Sequence, residues 1–96
     1  MGSLFAGGPS LREIDEYFRE AFERHLGKAE AIGDGVFREN YELLLEDLRG
    51  YVDRHNLSLW KRTRFAGNME GLLRQYLPKE AVKVLVKQAR IAMCRQ

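Results

Sequence analysis

The sequence is poor in the residues that usually staple a small fold or carry chemistry. It holds one cysteine, Cys94, so an intrachain disulfide is excluded and no thiolate pair exists for a structural zinc site. That usage suits a reducing compartment, and a cytoplasmic location is expected. It holds two histidines, and neither has a glutamate three residues earlier: His25 follows Phe22, and His55 follows Val52. A di-iron bundle needs such Glu-x-x-His pairs, so the spacing argues against one. Cys-x-x-Cys, His-Glu-x-x-His and calcium-loop patterns are missing. Ser3, Ser10 and Ser58 fall at tail or helix-cap positions, which leaves a serine triad without a nucleophile. No run of 18 apolar residues occurs, so no spanning helix and no membrane partner are expected. Period-two alternation between hairpin turns is also missing, which argues against a sheet. These gaps lead to the expectation of no catalysis, no metal and no cofactor.

What remains is rich in helix signals. Ninety-six residues suffice for one small core, and 45% hydrophobic with 31% charged residues mark a folded rather than a disordered chain. Residues 1–9 read as a flexible arm carrying Leu4 and Phe5, and 10–96 as a single helical domain. The arm lacks the charged start and long apolar stretch of a secretory signal. Ala6 stands where a myristoylation pattern wants Ser or Thr.

Ser10-Leu11-Arg12-Glu13 is a capping box that opens a first helix. Its apolar face is Leu11, Ile14, Tyr17, Phe18, Ala21, Phe22 and Leu26, and Gly27 stops it. A connection follows to Gly35, and Asp34 can cap a second helix. The second face runs Phe37, Tyr41, Leu44, Leu45, Leu48, Val52 and His55, with Asn56 at the end. Ser58 caps a third helix, with Leu59, Phe65, Ala66, Met69, Leu72, Leu73, Tyr76 and Leu77 inward. Pro78 suits the first turn of a fourth, whose inner residues are Ala81, Val82, Leu85, Val86, Ala89, Ala92 and Met93. Val84 and Ile91 widen that face, as in a central helix or one that meets a second subunit. The fold expected is all-α: a small four-helix up-down bundle whose short connections make successive helices neighbours. Exchange of the fourth helix within a dimer is the alternative.

The formal net charge of +2 hides a division. Residues 1–55 hold seven Lys/Arg against twelve Asp/Glu, a net of −5; residues 56–96 hold nine against two, a net of +7. Glu13, Glu16, Glu20 and Glu23 form a row on one side of the first helix, flanked by Arg12, Arg19 and Arg24 at pairing distance. Lys79, Lys83, Lys87 and Arg90 form a row on the fourth, with no acid in that helix after Glu80. Something outside the helix is expected to offset them: acids of the same bundle, acids of another copy, or nucleic-acid phosphate.

The densest basic and aromatic stretch is Leu59-Trp60-Lys61-Arg62-Thr63-Arg64-Phe65. Arginine pairs with phosphate and stacks on bases, and an exposed Trp60 offers a platform. Lys61, Arg64, Asn68 and Gln75 share one side of the third helix, read here as its outer face. Gly67 and Gly71 sit inside that helix at a cost of up to ~1 kcal/mol each against alanine. Close approach of another backbone, or a kink, is the simplest reason for them.

The function expected is a non-catalytic interaction or regulatory module that forms a homo-oligomer, a dimer in the first instance, or binds a protein partner. Leu4, Phe5, Gly67, Gly71, Val84 and Ile91 are its candidate contacts. The alternative is a nucleic-acid-binding module in which Trp60, Lys61, Arg62, Arg64, Arg74, Lys83, Lys87 and Arg90 meet nucleic acid.

Overall fold

The computed structural model describes residues 8–27 and 35–95. Leu4, Phe5 and the cap expected at Asp34 lie outside them. The described residues form four α-helices and no strand: α1 (Leu11–Leu26), α2 (Gly35–His55), α3 (Leu59–Leu73) and α4 (Lys79–Cys94).

The chain's own punctuation sets most of these bounds. Ser10 Oγ accepts from the Glu13 N–H at 3.2 Å, and Glu13 Oε1 accepts from the Ser10 N–H at 2.8 Å, the reciprocal capping box. Gly27 closes α1 at φ +57°, its N–H donating to Glu23 O. Asn56 ends α2 at φ +50°, and the Leu57 N–H reaches back to Val52 O at 3.1 Å. That closure swings the Leu57 side chain into the core, where it is 2% exposed.

Three boundary details differ from expectation. The α3 helix stops at Leu73 rather than Leu77: the backbone tightens into a turn after Leu73, and Pro78 keeps Leu77, the residue ahead of it, from resuming helical geometry. The chain turns over Arg74–Leu77 through bonds such as Tyr76 N–H to Leu73 O, which leaves Tyr76 exposed. Pro78 is the N-cap of α4, outside its first turn. Ser58 holds the N-cap position of α3, but its hydroxyl makes no capping bond.

Cross-helix contacts fix the directions. Tyr17 lies against Tyr51 and His25 meets Asp47, so α1 and α2 are antiparallel. Lys61 meets Pro9 while Arg64 and Asn68 meet Asp15, so α1 and α3 are parallel. Tyr41 meets Leu85 and Arg49 meets Ala92, so α2 and α4 are parallel. The bundle is up-down-up-down, as expected, but its order around the core is α1, α2, α4, α3. The sequential pair α2 and α3 therefore sits across the diagonal, not side by side. The reason is that each antiparallel hairpin, α1–α2 and α3–α4, pairs within itself, and the two then stack as layers.

This stacking turns the charge division of the sequence into one in space. The helices α1 and α2 each carry three arginines against five acids; α3 carries three cations against one acid, and α4 four against one. Between the layers lies an apolar core that includes Ile14, Phe18, Leu44, Leu48, Phe65, Met69, Val86 and Met93. Two core expectations need correction. His55 is exposed, and its expected place is taken by Tyr51, which packs against Tyr17, His55 and the edge of Phe65. Leu59 is 63% exposed, since the first turn of α3 projects past the end of the core.

Candidate interaction surface

The four cations of α4 stand on its solvent side. Lys79, Lys83, Lys87 and Arg90 are all exposed. The acidic row of α1 cannot reach them, because α1 occupies the opposite corner of the bundle. Among the described residues no ion pair includes any of the four. A groove between α3 and α4 gathers Arg74, Lys79, Lys83 and Arg90 over Val82 and Val86, with Glu70 as its acid.

Beside this row runs an apolar strip. Val84 is 58% exposed and Ile91 52%, and with Lys83, Lys87 and Arg90 they line one open face. The residues that widened the apolar side of the fourth helix are thus exposed, each by more than half, rather than packed into the bundle of the described residues. As a corner helix, α4 buries only its inner half, the side that carries Val82, Val86, Ala89 and Met93. It packs on α3 and α2 of its own chain.

The Trp60 segment divides. Trp60 is 61% exposed. Its cationic neighbours, however, are engaged in holding the fold. Lys61 Nζ donates to Pro9 O at 2.7 Å, and Arg62 Nε donates to Leu57 O at 3.0 Å. Arg64 forms a two-pronged bond with Asp15 at 2.9 and 2.7 Å, and Asn68 adds a third bond to the same carboxylate. The side of α3 that carries Lys61, Arg64 and Asn68 therefore turns toward α1 rather than outward. The bond from Arg64, with help from Asn68 and the nearby arginine charges, outweighs the opposing effect of burial and holds the Asp15 carboxyl down at about 2. Gly67 and Gly71 face open space: a methyl group built on either meets nothing within 4 Å. Among the described residues, no backbone from elsewhere in the chain approaches them.

A polar cluster between α1 and α2 was not anticipated. Asp47 accepts from the Tyr17 hydroxyl, lies 2.8 Å from His25 Nε2, and has Arg24 at 3.5 Å. Burial pushes the Asp47 carboxyl up, but the bonds from Tyr17 and His25 and the nearby Arg24 outweigh it and hold it below its usual range. Arg24, read as a partner for glutamates of its own helix, turns to α2 instead. Tyr17 and His25 are 30 and 22 residues from Asp47, so no local spacing announces the cluster. It closes the outer seam of the acidic layer, and its carboxylate is already filled by these neighbours. On α2 and α4, Tyr41 donates to Leu85 O at 2.6 Å and Arg49 donates to Ala92 O at 2.8 Å, tying the layers at their other edge.

Among the described residues no three His, Cys, Asp or Glu side chains converge as a metal site would require. No described helix is long and apolar enough to cross a membrane. Comparison of the chain with family models, with curated proteins and with solved structures gave no match in any of the three.

Proposed function

We propose that the chain is a non-catalytic interaction module that docks an acidic protein surface on the exposed face of α4, in the cytoplasm. One observation carries this reading: Lys83, Lys87 and Arg90 lie in the open beside Val84 and Ile91, and none of the three forms an ion pair among the described residues, Glu70 in the adjoining groove included. Cations on one helix face repel each other slightly, and exposed aliphatic side chains gain when covered. A partner with carboxylates beside an apolar strip removes both costs. The probe is a fluorescently labelled polyglutamate peptide of about 20 residues, followed by anisotropy at low salt. Wild-type protein should bind it, and K83E/K87E/R90E should not. Equal binding by both, or by neither, overturns the reading.

A second reading, nucleic-acid binding, is favoured by the groove that adds Arg74 and Lys79 to the row. It draws on Arg74, Lys83, Lys87 and Arg90 of the expected contacts, with Trp60 exposed at the far end of α3. Its mark is an affinity for a random oligonucleotide that falls steeply as salt rises from ~50 mM. No mobility shift at that salt with single- or double-stranded DNA or RNA sinks it.

A further inference from the structure

The face of α4 has a counterpart of opposite charge on α2 of the same chain. Reading from Val84, α4 places Lys87 three residues on, Arg90 six on and Ile91 seven on; reading from Val36, α2 places Glu39, Glu42 and Leu43 at the same offsets. The two aliphatic pairs are the exposed ones: Val36 56% and Leu43 49% on α2, Val84 58% and Ile91 52% on α4. The charged residues are exposed as well. Glu39, Glu42 and Glu46, like Lys83, Lys87 and Arg90, take part in no ion pair among the described residues. Each aliphatic pair spans about 10 Å at 1.5 Å per residue.

Taking the docking reading above as its basis, we infer that the acidic partner is a second copy of this chain, and that α4 of one copy packs antiparallel on α2 of the next. Equal offsets put the charged stripe on the same rotational side of the apolar pair in both helices. Two such helices bring their charged stripes together only when they run antiparallel. Val36 then opposes Ile91 and Leu43 opposes Val84. Along the seam Glu39 falls between Arg90 and Lys87, Glu42 between Lys87 and Lys83, and Glu46 beside Lys83. Like the heptad spacing that pairs coiled-coil helices, a shared seven-residue apolar step with complementary flanks sets both register and orientation.

The symmetry follows from the fold. Within one chain α2 and α4 are parallel neighbours. A two-fold axis that made the pair between copies antiparallel would stack α2 on α2 and α4 on α4, setting like charges against each other. The contact is therefore heterologous, and each copy keeps one unused face of each sign. Association adds copies one at a time instead of closing as a dimer. The seam is short and its charges are wet, so the assembly is weak and salt-sensitive.

Sedimentation equilibrium across protein concentration tests this. At 20 mM NaCl the average mass should climb with concentration past twice the chain mass, and 500 mM NaCl should weaken association roughly tenfold or more. E39K/E42K/E46K and K83E/K87E/R90E should each be monomeric, and their mixture should associate, because each then offers two faces of the sign the other lacks. V84S/I91S should weaken association without altering charge. All these positions are exposed, and circular dichroism checks that each variant is folded. A mass that levels off at a dimer, a monomer at every salt, or a mixture that stays monomeric overturns the inference. If wild type stays monomeric but polyglutamate still binds α4, the self-partner fails while the docking reading stands. If the oligonucleotide alone binds, both fail.

Discussion

At the residue scale, Asp15 shows how a cation that looks free in the sequence is spent on the fold. Its carboxyl titrates at about 2 when folded, below the usual value of 3.8, because Arg64 and Asn68 bond to the charged form. A depressed carboxyl contributes stability that is whole above its unfolded value and is lost as pH falls through the folded one. Wild type should therefore exceed D15N in urea-unfolding stability at pH 7 and pH 5, and the margin should vanish between pH 4 and pH 2. Gly67 and Gly71 make the opposite case. With open space around both, G67A and G71A should each stabilise the chain by about 0.5–1 kcal/mol through helix propensity alone. In a domain of this size a gain near 1 kcal/mol raises the melting temperature by about 4–8 °C, read by calorimetry. A lowered melting temperature in dilute solution would show that these glycines serve the fold itself.

At the scale of elements, Leu57 does more than its position in a three-residue connection suggests. The left-handed turn at Asn56 drops it between the layers, where it is all but inaccessible. L57A should cost about 2–5 kcal/mol in chemical denaturation, as for other core leucines, which would leave a fold of this length only marginally populated. Its apolar character was visible, but nothing local said that it points inward. The helices themselves were legible, because caps such as Ser10 and Glu13 and the three-and-four spacing of Ile14, Phe18, Ala21 and Phe22 act within a single turn or face. What failed to read through was long-range. Arg64 looked like an outward cation because Asp15 lies 49 residues away, and Tyr51 was passed over because its neighbours come from α1 and α3. The α4 row was legible as a row. Whether acids covered it depended on which helices share a side of the bundle, and that is decided by how the hairpins stack.

At the scale of the molecule, the layered charge makes +2 a poor guide to behaviour. A surface with one acidic and one basic side is governed by local potential rather than by net charge. The same arrangement bears on how the chain could be rebuilt from pieces. Both halves are antiparallel helical hairpins, they meet through an apolar seam, and the break between them falls at exposed Asn56. A fragment ending at Asn56 and one beginning at Leu57 carry opposite net charge, so they attract before they touch. Expressed separately and mixed, they should reconstitute the helical fold in stopped-flow circular dichroism. Their association rate should drop with added salt far more than the stability of the product does, since charge steers the encounter and apolar burial holds the result. The junction between Asn56 and Leu57 would then be a natural site for splitting the protein into a two-part reporter.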